Sequence, residues 1–453
     1  MASTSAAPHD ADAEMDRQSV ATGYSQMSIT PSVYSFNSSR DGVALLRNIQ
    51  GRTFNAQNEL YFLPADEVEY DRLEKQHLMH LVACGRLYQE AEKVQRLLAP
   101  EEGVQKRILD LGTGAGNWAV GMAMEFPHAQ VVGVDLAPST TWPPPDNCRF
   151  EFDDFTLGLS HYYGSFDVVH SRSTANGIKD FEWFVNEAAR CLKPGGILLM
   201  IEGSVEMLNS NKEPQEVAWG DDTPGQSWMA RTLFECYNTM KRRGSSIDAA
   251  WRLYDLMHKC PLLDEVQTKI NLIPVGPWEV GKTPDEDREK RIVGILMRQV
   301  FTELVRALQP LFLTEGYDPV LVQKFIDGTD YELNNLVVHM YAKYHFAWAT
   351  RNDVPIPEDE PEAEGKGAGE GANNDDGSQS GNSSGTRRSR RTTPPPEPDA
   401  ILEPPPRATR WTPELIGSTT ASLRGSMVSS ASGWRSGSSM DMSDTRSVRD
   451  MDD

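Results

Sequence analysis

An acid and three glycines in one turn, and a carboxylate that follows them, have the types and spacing to bind a nucleoside. Asp110 precedes Gly112, Gly114 and Gly116, which lie between an apolar run and an amphipathic run. Asp135 ends the next apolar run, nineteen residues after Gly116. A strand, a glycine-rich turn, a helix and a second strand ending in a carboxylate form the nucleotide-binding half of an α/β sheet. The spacing is G-x-G-x-G and not G-x-G-x-x-G, which indicates a ligand other than a dinucleotide.

The turn can bring a ligand close to the main chain, because glycine carries no Cβ. A turn with this spacing and an acid two residues before it is typical of S-adenosylmethionine-dependent methyltransferases. That cofactor has no phosphate, so we expect the loop to pack against its nucleoside and methionine parts. Asp135 is expected to accept both ribose hydroxyls, each bond contributing about 1.5–3 kcal/mol, and Asp110 to hold the methionine amino group, directly or through water. The alternative is an ordinary tight turn between a strand and a helix.

The elements around the turn predict a doubly wound parallel sheet, because strands and helices alternate with short connections. Strands are predicted at about 106–111, 130–135, 148–153, 166–170, 197–201 and 266–275, with an antiparallel last strand at 343–349. Helices are predicted at about 116–126, 180–192, 228–241, 247–260, 287–312 and 318–340. A further helix is predicted to begin at Asp66, in a capping box with Glu69, and to flank the cofactor pocket.

Composition divides the 453 residues into one folded domain and two tails. Residues 1–45 and 352–453 are rich in small and polar residues without apolar periodicity, which predicts disorder, and 46–351 is the predicted domain. A net charge of −22 disfavours binding to nucleic acid or to an anionic membrane surface. The five cysteines are scattered, which indicates free thiols and no metal site. Without a secretory signal or an apolar run of membrane length, we expect an intracellular protein.

The same motifs resemble those of a known family, the fungal class I methyltransferases, and most closely the relatives of the velvet-complex regulators of secondary metabolism. The resemblance is carried by Asn48–Phe54, Asp71–His77, Leu109–Ala119, Glu125–Pro127, Gly133–Pro138, Pro144–Asp154, Phe166–Arg172 and Arg190–Gly196. It covers about 47–203 well and 204–350 only loosely. It implies a seven-stranded class I sheet with a helical cap and S-adenosylmethionine as cofactor.

The resemblance also assigns further residues around the cofactor. One carboxylate of the pair Asp153 and Asp154 is expected to meet the adenine amino group, and the segment His170–Arg172 is expected at the end of the fourth strand, facing the methyl group. The chain departs from the family pattern at Asn117 and in the segment Thr174–Gly177, which follows the fourth strand.

Two side chains are candidates for a general base, His170 and Glu202, which come at or just after predicted strand ends. Methyl transfer needs a base only when the acceptor must lose a proton, and orientation alone can supply roughly 7–11 kcal/mol of the barrier. The alternatives are a structural histidine and a solvated carboxylate. The chain has no Asn/Asp-Pro-Pro-Tyr motif and no Pro-Cys nucleophile, so nucleic acid is not the expected acceptor.

Three hypotheses for function follow. The favoured one is methyl transfer to a small molecule of secondary metabolism. The second is a regulator that acts through protein partners of its tails, with protein methylation or as a cofactor-binding scaffold. The third is a pseudoenzyme, which the intact glycine turn and both acids disfavour. Arg387–Arg391 could be a nuclear-import signal, so the predicted location is cytoplasmic or nuclear.

Overall fold

The computed structural model describes residues 45–137, 143–220 and 223–356. The two predicted disordered tails lie almost entirely outside these residues, and the cluster Arg387–Arg391 lies outside them. The described fold opens with the hairpin strand at Leu46 and its last strand ends at Arg351. The division of the chain into one domain and two disordered tails stays a prediction.

Ten strands and eight helices make up the described fold. The strands are β1 (Leu46–Ile49), β2 (Arg52–Asn55), β3 (Arg107–Leu111), β4 (Gln130–Asp135), β5 (Cys148–Phe152), β6 (Phe166–Arg172), β7 (Leu192–Gly203), β8 (Leu208–Asn209), β9 (Leu263–Val275) and β10 (Met340–Arg351). The helices are α1 (Glu67–Cys84), α2 (Ala91–Leu97), α3 (Asn117–Glu125), α4 (Phe181–Arg190), α5 (Trp228–Arg242), α6 (Ala249–Lys259), α7 (Pro284–Thr314) and α8 (Pro319–Asn335).

The main sheet has the order β5-β4-β3-β6-β7-β10-β9, and the short β8 pairs with the first residues of β10. Strands β3 to β7 are parallel to one another, whereas β10 runs antiparallel to both β7 and β9. Chain order reverses between β3 and β6, which leaves a crevice at the carboxyl ends of these strands. The predicted seven-stranded class I sheet with an antiparallel last strand is confirmed.

Some predicted boundaries were wrong because the sheet extends further than local signals indicate. The predicted turn at 192–196 is part of β7. Leu192 pairs with Phe166 of β6, and the next pair is Ile197 with Val168, so four residues of β7 form a bulge between the two pairs. Strand β6 continues past His170 to Arg172. Helix α8 ends at Asn335 and not near 340, because Leu336 has a φ of 51°.

Alternate residues of the central strands bury themselves on opposite faces of the sheet. Ile108 packs with α2 and α3, whereas Leu109 and Leu111 pack with α4 and α6. A third apolar cluster joins α1, α5, α7 and α8 into a helical cap beside β7, β9 and β10. The cap therefore stands next to the crevice that the reversed chain order creates.

Helix α1 begins as predicted, since the Asp66 carboxylate accepts the Glu69 amide at 3.2 Å. The capping box is incomplete, because the Glu69 side chain instead forms an ion pair with Arg72. The buried face of α1 is polar and includes Gln76 and His77. Within the described residues, no helix combines the length and apolarity needed to cross a membrane.

Candidate active site

A single cavity lies between the carboxyl ends of β3, β4, β6 and β7 and the helical cap. It encloses about 1650 Å³ of space free of atoms, part of it open to solvent. One end is lined by the glycine turn, by Asp135 and Leu136, and by Asp154 and Phe155. The other end is lined by apolar side chains of the cap. Both ends belong to one continuous space, so two molecules could meet inside it.

Two of the three glycines form part of the cavity wall. Gly112 and Gly114 line the cavity with φ values of 79° and 55°. A Cβ on Gly114 would lie 3.0 Å from Cδ1 of Leu73 on α1, so the turn and the helix approach each other closely. Gly116 directly precedes α3 and is not among the described residues that line the cavity. A Cβ on Gly116 would overlap with the ring of Phe150, so a glycine at this position allows the ring to pack against the turn.

Asp135 projects into the cavity from the end of β4. Its carboxylate accepts the amides of Gly114 at 2.8 Å and Ala137 at 3.1 Å. Burial raises the pKa of Asp135, and these two amide hydrogen bonds act in the opposite direction. Helix α1 covers this corner, because the hydroxyl of Tyr70 in its first turn donates to the Ala137 carbonyl at 2.8 Å. Asp135 therefore sits where the turn, β4 and α1 meet.

Asp110 and His170 form a buried pair behind the glycine turn. The His170 Nδ1 donates to Asp110 Oδ1 at 2.7 Å, and Thr113 Oγ1 donates to Asp110 Oδ2 at 2.8 Å. The His170 ring stacks on Trp118 at 3.9 Å between ring centres and is 1% exposed. Neither Asp110 nor His170 is among the described residues that line the cavity. Of the segment His170–Arg172 that was expected to face the methyl group, Arg172 lines the cavity, whereas the His170 ring stacks on Trp118 of α3, because β6 runs two residues further than predicted.

The two acids after β5 lie in different places. Asp154 is buried and lines the cavity. Its carboxylate accepts hydrogen bonds from the Thr156 amide at 3.0 Å and from the Thr156 hydroxyl at 2.6 Å. Asp153 is half-buried, 3.9 Å from His161, and is not among the described lining residues. Burial raises the pKa of Asp153. Of the pair, Asp154 is the acid that a ligand in the cavity could reach.

Glu202 lies near the end of β7, lines the cavity and is 3% exposed. Its Oε1 accepts the Thr174 amide at 2.8 Å and the Thr174 hydroxyl at 3.2 Å. Burial raises the pKa of Glu202 to about 7, against these hydrogen bonds. The carboxyl can therefore exchange a proton near neutral pH. The departures noted in the sequence, Asn117 and Thr174–Gly177, also line the cavity.

Several lining residues were not predicted from the sequence. Arg72 and Gln76 come from α1 and face the cavity beside Tyr344 of β10. Arg172 also lines the cavity, but its segment at a strand end was expected to face the methyl group. The α1 residues had no signal in the sequence, because polar residues on a helix normally indicate a solvated face.

The far end of the cavity is apolar and comes mainly from two helices. Its residues are Val205, Leu233, Cys236, Met240, Ile247, Phe301, Leu304, Leu308 and Leu311. Helix α5 therefore covers the cavity, whereas α6 packs against the opposite face of the sheet. All five cysteines are free thiols, and no group of three or more potential metal-binding side chains occurs in the described ranges.

Comparison with known proteins places this site in a family. Residues 83–243 match a family model described as a methyltransferase domain. The secondary metabolism regulator laeA of Coprinopsis cinerea is 31% identical over 68% of this chain and 74% of its own length. The methyltransferase pytC of Aspergillus terreus is 30% identical over 73% of this chain and 93% of its own length. The protein-methionine methyltransferase laeA of Emericella nidulans is 26% identical over 70% and 79% of the two chains. The chain thus belongs to the fungal class I S-adenosylmethionine-dependent methyltransferases related to laeA.

Proposed function

We propose that the protein transfers the methyl group of S-adenosylmethionine to an apolar acceptor of secondary metabolism that lies against α5 and α7. The observation that carries the proposal is the continuity of the cavity. The glycine turn and two acids form one end, and apolar side chains form the other. A cofactor at the first end and an acceptor at the second would be in contact inside the same cavity.

The residues at the polar end fit this cofactor. Gly112 and Gly114 line the cavity, so the methionine part can lie against the main chain of the turn. We assign Asp135 to the ribose hydroxyls and Asp154 to the adenine amino group, because both carboxylates line the cavity on the β4 and β5 side. Asp110, which was expected to hold the methionine amino group, instead acts through the turn, because it does not line the cavity and bonds Thr113 and His170. When bound, the cofactor supplies a methyl group on a sulfonium, which needs no metal to activate it.

The chain contributes orientation and a proton acceptor. Holding the acceptor atom in line with the methyl group can supply roughly 7–11 kcal/mol of the barrier. Glu202 is the general base of this proposal, because it lines the cavity and its pKa is raised to about 7. A base whose pKa lies near the working pH is substantially deprotonated and still binds a proton strongly enough to remove it from the acceptor. His170 is a positioning residue here, because the ring contacts Asp110 and not the cavity.

The nature of the acceptor follows from the far end of the cavity. Nine apolar residues line that end, which suits a hydrophobic small molecule. A second candidate is a protein acceptor whose side chain enters the same space, and the similarity to the protein-methionine methyltransferase laeA of Emericella nidulans favours it. Regulatory partners of the tails and a nuclear location belong to this second candidate, and both stay predictions.

Calorimetric titration of the full chain with S-adenosylhomocysteine tests the cofactor site. Wild type is expected to bind, and Asp135→Ala is expected to bind at least tenfold more weakly because the ribose loses its acceptor. Asp153→Ala is the matched control, since this neighbouring acid does not line the cavity. Equal losses in the two variants, or no binding by folded wild-type protein, would contradict the proposed site.

Turnover with isotopically labelled cofactor separates the two acceptor classes. Label in a hydrophobic phenol, amine or polyketide-like compound supports the small-molecule proposal. Label confined to a protein fraction, including this chain itself, supports the second candidate. Glu202→Gln run in parallel should remove turnover on an acceptor that must lose a proton and spare turnover on a thioether, which has no proton to lose.

A further inference from the structure

Arg172 is the one cation lining the cavity that has no carboxylate partner among the described residues. Three basic side chains line it: Arg72, Arg172 and Lys343. Arg72 forms an ion pair with Glu69 at 2.6 Å, and Lys343 forms one with Glu206 at 2.8 Å. Within the part of the chain that the structure describes, the only hydrogen bond of the Arg172 guanidinium joins its Nη2 to His77 Nδ1 at 3.5 Å.

Apart from the charge of Asp110, the groups around Arg172 do little to offset its positive charge. On α1, burial lowers the pKa of His77 to about 3 and that of His80 well below its usual value, so both rings are neutral. Burial raises the pKa of Cys84 on the same helix and raises that of Tyr344 on β10 to about 12, so both are protonated. Asp110 favours the charged form of Arg172, but its oxygens accept hydrogen bonds from Thr113 and His170 and form no ion pair with the guanidinium. Burial nevertheless lowers the pKa of Arg172, so keeping this half-buried cation charged is costly, and an anionic ligand can offset that cost.

The position of Arg172 in the sheet indicates which ligand anion it meets. The strand order β4-β3-β6 places the glycine turn between Asp135 on one side and Arg172 on the other. Ser171 is paired with Leu111, so Arg172 lies level with Gly112, the first residue of the turn. A ligand whose ribose lies at Asp135 and which crosses the turn therefore has its other end beside Arg172.

We propose that Arg172 binds the methionine carboxylate of S-adenosylmethionine. The inference rests on the proposed placement of the ribose at Asp135. That carboxylate is the only anionic group of the cofactor, and a guanidinium can bind it through two parallel hydrogen bonds. An acceptor carboxylate is the other possible source of the same chemistry, and the experiment separates the two.

The test compares two ligands that differ only in the carboxylate: S-adenosylhomocysteine and its decarboxylated analogue. Calorimetry on the full chain should give at least tenfold tighter binding of S-adenosylhomocysteine to wild type. Arg172→Met should bind S-adenosylhomocysteine at least tenfold more weakly, with affinity for the decarboxylated analogue within twofold of wild type. Arg172→Lys, which keeps the charge, should lie between the two. Arg306→Met is the charge-loss control, because Arg306 pairs with Asp330 on the exposed side of α7.

The outcomes distinguish this proposal from the proposed function. Equal affinity of wild type for the two ligands overturns the role of Arg172 and leaves the cofactor site in place. This comparison uses wild type alone, so it does not depend on whether a variant folds. Equal weakening of both ligands by Arg172→Met indicates a structural role and also overturns it. A raised acceptor KM in Arg172→Met, with unchanged affinity for S-adenosylhomocysteine, assigns the guanidinium to the acceptor and overturns the cofactor assignment. Failure of folded wild type to bind either ligand overturns the proposed function, and this inference with it.

Discussion

The imidazole of His170 donates a hydrogen bond of 2.7 Å to the carboxylate of Asp110, and the two side chains are 1% and 2% exposed. They come from adjacent strands at directly paired positions. Burial lowers the pKa of His170, so its ring is neutral and its Nδ1 carries the proton that Asp110 accepts. The pair fixes the acid that precedes the glycine turn. His170 therefore supports the turn from behind and does not face the cavity.

Loss of the donor at position 170 should weaken the turn. His170→Phe keeps an aromatic ring against Trp118 but leaves one oxygen of Asp110 without its hydrogen bond. We expect the free energy of unfolding to fall by about 1–3 kcal/mol and affinity for S-adenosylhomocysteine to fall with it. His170→Asn should recover part of both, because its amide nitrogen occupies nearly the place of Nδ1. Urea unfolding and calorimetry measure the two effects. A large fall in kcat at unchanged stability and affinity would instead restore a catalytic role.

The sequence was sufficient to predict the central sheet, because each element there has a local signal. Apolar runs ending in Asp110 and Asp135, with glycines between them, predicted strand β3, the turn and strand β4 to within a residue or two. The antiparallel β10 was also predicted from a single apolar run. These features depend on neighbours in sequence, so periodicity and turn chemistry determine them.

The rest of the site depends on contacts that are distant in sequence. The length of β6 is determined by pairing with β7, so the sequence alone ended the strand at His170. It therefore did not distinguish Arg172, which lines the cavity, from His170, which does not. Helix α1 buries polar side chains such as Gln76, which donates to Tyr344, a residue of β10. The apolar residues of α7 have the spacing of any packed helix. The sequence therefore could not indicate that some of them line a cavity.

The pH dependence of catalysis should report Glu202. A general base must be deprotonated, so kcat/KM for an acceptor that loses a proton should rise with pH through about 7. Glu202→Gln should lower kcat/KM by roughly 10²–10⁴-fold and abolish this rise. The measurement is initial rates between pH 5.5 and 9 with saturating cofactor. If the residual kcat/KM of Glu202→Gln still rose with pH through the same range, the titrating group would be another residue.

Glu202 should also make stability depend on pH. Its pKa is raised to about 7 in the folded protein from 4.5, so between these values the folded state binds more protons than the unfolded state. Its contribution to stability is therefore fully present below pH 4.5 and is lost as the pH rises through about 7. Glu202→Gln has no charge to bury, so its stability relative to wild type should increase from pH 5 to pH 8. Denaturant unfolding at the two pH values gives this difference, and a constant difference would contradict the raised pKa.

Gly116 should tolerate a methyl group less well than another glycine of the same conformation. Its φ is 80°, and a Cβ would overlap with the ring of Phe150. Gly103 has a φ of 75° with nothing within 4 Å of an added Cβ, so it provides the matched control. Gly116→Ala should lower the free energy of unfolding by about 1–3 kcal/mol more than Gly103→Ala. Equal losses in thermal or denaturant unfolding would show that strain at positive φ, and not packing on Phe150, is the whole effect.

Glu332 of α8 should control the acceptor end of the cavity without touching it. Its carboxylate accepts the Ser227 hydroxyl at 2.8 Å and the Met229 amide at 3.2 Å, at the start of α5. Helix α5 carries Leu233 and Met240, two of the apolar lining residues. Glu332→Ala leaves buried donors without a partner, which costs about 1–3 kcal/mol, and should displace the first turn of α5. We expect a raised KM for an apolar acceptor, with affinity for S-adenosylhomocysteine within twofold of wild type.

Asp318, which caps the start of α8, provides the control for Glu332, which lies on the same helix but bonds the start of α5. Asp318 accepts the Val320 amide at 2.8 Å at the exposed start of α8, and its replacement by alanine should cost about 0.5–2 kcal/mol. Asp318→Ala thus lowers stability without disturbing α5, and its acceptor KM should stay at the wild-type value. If both variants raised KM equally, loss of stability alone would explain the effect. A KM change confined to Glu332→Ala would show that the contact between α8 and α5 shapes the acceptor end, which the sequence around Glu332 gives no reason to expect.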